Sequence, residues 1–290
     1  MTAELDKHFA LELAQRAVTR GADASEVTIR HRTEFSVGVR LGEVETLKES
    51  SDRGLGLRVL IEGKQASVSG SDFSPDAISA LLDEVIEMAR VTSPDDTAGL
   101  PEPSEFATEF PFLDLFDPEI ESLSTEAKIE LALRAEQAAK EASPLIVNFD
   151  GGGFSCGWGA EIFANSLGFA GQYSGTSCSL ATVPVASDGA RMQRDYWYDV
   201  RRKLADLESP EDIGAKAAQR TVRKLGARTI QTQKVPVVFE SHVARELLGD
   251  IFGAVSGESI FRKSSFLVGR LGDKVASSRL TVIDDGLMMG

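Results

Sequence analysis

The residues best suited to chemistry in this chain lie between Ser241 and Ala254. His242, Glu246 and Asp250 recur every four residues, so on a helix each sits about 40° from the last and all three share a face. One imidazole and two carboxylates are donors that a divalent cation accepts, although the same spacing also builds a solvated polar face. His8 and His31 have no companion ligands. Ser155-Cys156-Gly157-Trp158-Gly159 offers two nucleophiles but no His nearby in sequence, so no nucleophile elbow is expected. Gly54-Leu55-Gly56 is too short for a dinucleotide fingerprint, and Gly151-Gly152-Gly153 reads as a flexible turn.

Composition narrows the function classes. The chain has 290 residues and a formal net charge of −14, from 45 acidic against 31 basic residues. Nucleic-acid binding without sequence preference needs a basic face, which this balance argues against. No apolar run is long enough to cross a bilayer, and Met1–Val18 is acidic and amphipathic, unlike a secretory leader. Two cysteines, Cys156 and Cys178, with no Cys-x-x-Cys spacing, fit a reducing cytoplasm.

The elements that must position these residues fall into blocks. Residues 1–90 read as helix, strands, helix. Leu5, Phe9, Leu13 and Ala17 make one apolar stripe, Val27 to Leu41 alternates, and Gly42-Glu43 and Glu62-Gly63 make turns. Ser74-Pro75-Asp76 starts a helix with a hydroxyl cap, a proline at the first position and an acid near the positive end. Residues 91–123 form an acidic, proline-rich connector whose Phe106, Phe110, Phe112 and Phe116 are expected to pack on the domain surface. Residues 124–227 repeat the first pattern, closing on a second Ser-Pro start at Ser209-Pro210. This weak repeat suggests two similar layers or one continuous sheet backed by helices, and convergent use of a good helix cap explains the same similarity. In residues 228–290, Val235–Phe239 and Leu280–Asp285 read as strands flanking a helix over 241–255. Ser241 is expected to cap that helix, and Ala244, Leu247, Leu248, Ile251, Phe252 and Val255 form a stripe expected to be buried.

Taken in order, several of these residues carry a family resemblance. They are Gly42-Glu43-Val44-Glu45, Asp52-Arg53-Gly54-Leu55-Gly56, Asn165-Ser166-Leu167-Gly168, Arg194-Asp195-Tyr196, and Leu247-Leu248-Gly249-Asp250-Ile251-Phe252-Gly253-Ala254. Gly257, Arg262-Lys263-Ser264-Ser265-Phe266 and Asp284-Asp285-Gly286 follow. The set resembles the TldD/PmbA family of bacterial peptidase components. In the TldD branch the corresponding helix carries His-Glu-x-x-x-His, whose histidines bind zinc. Gly249, Asp250 and Ala254 stand at the first His, the Glu and the second His. The chain is therefore similar to the PmbA (TldE) branch, which lacks the zinc site.

The resemblance implies an α+β fold, with a mixed sheet-and-helix region followed by the start of a mostly β C-terminal domain. It also implies a non-catalytic subunit that works with a TldD-type metallopeptidase partner on peptides or unfolded protein segments. Zinc is then expected in the partner and no cofactor in this chain, with neither nucleic acid nor membrane involved. Family members continue beyond the position of Gly290, so the chain is expected to be C-terminally truncated relative to them. Gly253, Arg262 and Lys263 are candidates for peptide or partner contact, because glycines four apart clear one side of a helix and a basic turn can orient carboxylates. Two other readings remain open: a self-associating binding module, and an autonomous metallopeptidase using His242 and Glu246.

Overall fold

The computed structural model describes residues 6–290. It divides into two compact units, one formed by the chain up to Ala227 with Leu287–Gly290, the other by Arg228–Gly286. The first unit is α+β. Helix α1 (Lys7–Thr19) leads into strands β1 (Ala24–Arg40), β2 (Glu43–Ile61) and β3 (Lys64–Gly70), then α2 (Pro75–Val91). After the connector come α3 (Pro118–Ser122) and α4 (Thr125–Ala142). Strands β4 (Ile146–Asn165), β5 (Ala170–Ser187), β6 (Met192–Arg194) and β7 (Trp197–Arg201) follow, then α5 (Pro210–Arg223).

The strands make one antiparallel sheet in the order β3-β2-β1-β4-β5-β6, with β7 also on β5. Of the two arrangements open to the sequence, the continuous sheet is the one formed. Its seam is β1 against β4, in unbroken register from Glu26↔Asn165 to Gly38↔Gly153. Because side chains alternate along a strand, the odd-numbered residues of β1 and the even-numbered ones of β4 face the helices. Val27, Ile29, Ile162 and Ala164 join Leu13, Leu82 and Val85 of α1 and α2 in one core. Phe35, Val37, Phe154, Cys156 and Cys178 join Ala132, Ala135 and Ile213 of α4 and α5 in a second. His31 has the core-facing parity but falls between the two clusters, where it is exposed beside Ser51 (3.3 Å).

Local chemistry sets the element ends. Ser74, Ser124 and Ser209 each accept a backbone N–H of the first turn, and Pro75 and Pro210 occupy first-turn positions whose N–H would lack a helical partner. The β1–β2 turn places Leu41 and Gly42 at φ 54° and 82°, as a two-residue type I′ hairpin requires. The Glu136 carboxylate of α4, itself buried, accepts the N–H groups of Leu41 (3.0 Å) and Gly42 (2.6 Å). This pins a leucine in a conformation that L-residues disfavour by about 1–2 kcal/mol. The connector packs its aromatics as expected, with Phe106 and Phe110 against Phe169 at 5.3 and 6.0 Å between ring centres, while Phe112 stays exposed.

The second unit holds α6 (Ser241–Val255) and α7 (Gly257–Phe261), and no residue of 228–286 is in a strand. Three expectations are corrected here. Val235–Phe239 and Leu280–Asp285 are not strands: a strand exists only through ladder pairing with another strand, and no β pairing forms along either segment. Val238 is 96% exposed, so the first segment is not buried either. Glu240, not Ser241, occupies the N-cap of α6, without a side-chain capping bond.

Candidate functional site

Helix α6 forms where the sequence placed it, and Gly249, Asp250 and Ala254 all lie on it. Gly249 and Asp250 are exposed, and Ala254 is half-buried. Zinc binding requires nitrogen, sulfur or oxygen donors at about 2.0–2.3 Å, which glycine and alanine side chains do not have. Gly249 and Ala254 therefore offer a metal no side-chain donor. His242, Glu246 and Asp250 lie on the same helix, yet no three His, Cys, Asp or Glu side chains among the described residues converge as a metal site.

The apolar stripe of α6 departs from expectation. Leu247, Leu248, Phe252 and Val255 are exposed, at 42%, 41%, 58% and 53%, so the stripe is not a buried scaffold. Periodicity reports that a helix has an apolar face; whether that face is covered depends on what packs against it. Nor are the helix glycines forced by close packing: a Cβ built at Gly249 or Gly253 meets no heavy atom within 4 Å. Arg262 pairs with Glu258 at 2.8 Å with both side chains exposed. Lys263 follows α7 with φ 55°, a helix-ending conformation.

The sequence reading missed the polar face of the sheet. The residues of β1, β4 and β5 that alternate with the core positions point away from the helices. They include Arg30, Arg32, Glu34 and Ser36, then Ser155, Gly157, Gly159 and Glu161, then Tyr173, Gly175, Ser177 and Ser179. Two depressions of about 400 and 460 Å³ open on this face and share Arg32, Gly157 and Ser177, so they form one trough. Small residues on adjacent strands leave the space, while Arg30–Glu161 (2.5 Å) and Arg32–Glu34 (2.7 Å) line it with exposed ion pairs. Alternation of Gly and Ser with apolar residues along β4 and β5 was the available signal. Residues 151–153, read as a flexible turn, lie within β4, where Gly151 and Gly152 adopt φ of 113° and 148° at a register break.

Gly153-Phe154-Ser155-Cys156-Gly157 does spell Gly-x-Ser-x-Gly. It runs mid-strand in β4, however, not at a strand-to-helix turn, and Ser155 Oγ is 3.0 Å from Ser179 Oγ rather than beside an imidazole. It has the spacing of an elbow without the geometry. Among the described residues no helix is long and apolar enough to cross a membrane.

Three family models match in chain order. PmbA/TldA metallopeptidase domain 1 covers residues 25–89, the central domain 118–225 and the C-terminal domain 232–290. Metalloprotease PmbA of Escherichia coli O157:H7 is 40% identical over 273 residues, covering 94% of this chain and 59% of the relative. The PmbA homologue of Haemophilus influenzae is 34% identical over 267 residues, covering 92% of this chain and 58% of its own length. The chain thus spans less than two thirds of the relatives it matches. A Bacteroides thetaiotaomicron structure named as a modulator of DNA gyrase superposes with a TM-score of 0.90 at 27% identity, covering 100% of this chain and 66% of that one. TldE from Thermococcus kodakarensis shares the fold, with a TM-score of 0.75 at 20% identity over 90% of this chain and 58% of that one.

Proposed function

The chain belongs to the PmbA/TldD family, and we propose that within it the chain is a non-catalytic subunit of PmbA (TldE) type. In this reading a TldD-type partner supplies the zinc, and the complex cleaves peptides or unfolded protein segments in the cytoplasm. What supports the reading is the chemistry of α6: Gly249 and Ala254, which the family resemblance sets opposite the zinc-binding histidines, have no donor atom in their side chains.

The exposed apolar stripe of α6 and the glycine faces at Gly249 and Gly253 are surfaces that a partner subunit could cover. Arg262 and Lys263 are candidates to meet its carboxylates or those of a bound peptide. Co-expression with a TldD-type protein, followed by size-exclusion chromatography, zinc analysis and a peptide-cleavage assay, tests the proposal. A complex that holds zinc and cleaves, beside an isolated chain that does neither, supports it. Stoichiometric zinc and hydrolysis by the isolated chain would sink it. Self-association without a complex favours the binding-module reading instead.

A further inference from the structure

The trough on the polar face of the sheet carries a charge opposite to that of the chain. Its two depressions are lined by Arg30, Arg32, Lys48 and Arg202 against Glu34 and Glu161, so four cations meet two carboxylates and leave +2, on a chain of net −14. Asp52, opposite Arg32 on β2, shares the face but lines neither depression. Arg30 pairs with Glu161 and Arg32 with Glu34, which leaves Lys48 and Arg202 without an ion-pair partner among the described residues.

Two of the guanidinium groups reach over a floor that has no side chains. A Cβ built at Gly157 would lie 4.0 Å from Arg32 Nε, and one built at Gly175 would lie 3.9 Å from Arg202 Nη1. Gly157 is opposed to Ser177 and Gly159 to Gly175, so Gly157 and Gly175 are diagonal neighbours across β4–β5, about 7–8 Å apart. Arg32 comes over this floor from β1, and Arg202 from the residue that follows β7. Arg32 meets Glu34 through Nε (2.7 Å), which leaves its terminal N–H groups for a ligand. Ser177 belongs to both depressions, half-buried, and its hydroxyl makes no hydrogen bond among the described residues. Two forked cations and an O–H donor around one open floor match the acceptor pattern of a carboxylate.

The shape adds the length of the ligand. The trough follows β4 and β5 from Ser155↔Ser179 to Glu161↔Tyr173, six residue steps or about 20 Å, the span of an extended peptide of about six residues. We propose that this trough binds an acidic peptide segment in extended form, one Asp or Glu carboxylate being held by Arg32, Ser177 and Arg202 and a further one drawn by Lys48. That the ligand is a peptide rests on the proposed function; the charge and geometry of the site belong to this chain alone.

The test uses the folded full chain and a fluorescein-labelled, C-terminally amidated peptide of alternating Ser and Glu, six residues long, read by fluorescence anisotropy. Binding should weaken as salt is raised, and the same peptide with Gln for every Glu should bind at least about tenfold more weakly. Arg202→Gln should weaken the Glu peptide by about tenfold or more, as loss of a charge-assisted bond does. Arg202→Lys should recover only part of that, because it keeps the charge without the fork. Lys140→Gln, the same change of charge at the exposed end of α4, should leave affinity unchanged. Equal affinity for the Gln peptide, or an Arg202→Gln variant that binds no worse than Lys140→Gln, overturns the proposal. Displacement of the peptide by equimolar inorganic phosphate or free glutamate overturns the peptide as ligand, since the site then takes any small anion. Binding that depends on Arg202 in a chain that forms no complex with a TldD-type subunit keeps the trough and removes the subunit reading. A cleaving complex whose Glu-peptide binding is indifferent to Arg202→Gln does the reverse.

Discussion

Replacing Gly249 and Gly253 with alanine should act in opposite directions on the isolated chain and on its assembly. Each glycine costs a helix interior about 1 kcal/mol relative to alanine. A Cβ at either position meets no heavy atom within 4 Å, so no steric term offsets the gain. The double substitution should therefore stabilise α6 by about 2 kcal/mol, close to additively, since neither new methyl contacts an existing neighbour. Circular dichroism of a peptide spanning 238–258, and amide exchange of α6 in the full chain, would read this directly: slower exchange by roughly 30-fold if opening is local. If the glycines exist to let a partner's backbone approach, the same methyls should weaken assembly with a TldD-type subunit, and Gly249→Leu more so. Faster exchange in the isolated double variant would refute the open-face reasoning. Unchanged assembly in Gly249→Leu would refute the partner-facing role of this side of the helix.

Three further predictions concern the first unit. Glu136→Gln should destabilise it by about 1–2 kcal/mol in urea unfolding, because an amide offers an N–H where two backbone N–H groups need acceptors; Leu41→Gly should recover part of the loss by relieving the positive φ. Gly214→Ala should cost about 1–3 kcal/mol by pushing α5 off α4, since the added Cβ would lie 2.4 Å from Ala135 O and 2.7 Å from Ala138 Cβ; a variant as stable as the parent would contradict that packing. Burial alone would raise the Asp195 carboxyl, but Lys224 at 3.0 Å, the Tyr196 N–H at 2.9 Å and Arg220 hold it below the ordinary aspartate value. A depressed folded pKa contributes stability above the unfolded value of about 3.9, lost as pH falls through the folded value, so Asp195→Asn should be less stable than the parent at pH 7 and the gap should close below about pH 4 in thermal melts.

Much of this protein was legible without coordinates, because much of it is local. Ser74-Pro75, Ser124 and Ser209-Pro210 announce helix starts through bonds made within one turn, and each starts a helix. Alternation along 27–41 sets which side chains share a face, and the ordered motifs carried the family assignment. The lack of zinc donors at Gly249 and Ala254 is likewise a property of composition, independent of fold.

Tertiary structure decided whatever depends on residues distant in sequence. Periodicity could not choose between two layers and one sheet; the β1–β4 register did, pairing residues more than a hundred positions apart. It also made the polar trough, which exists only because Arg32, Gly157 and Ser177 come from three adjacent strands. Cys156 and Cys178 looked like unrelated thiols until that sheet set them opposite one another. The same limit explains the misread residues after 228: an apolar run becomes a strand, or a helix stripe becomes core, only when a partner covers it. Hydrophobic pattern states which face seeks burial, and only the surrounding chain determines whether that face is buried.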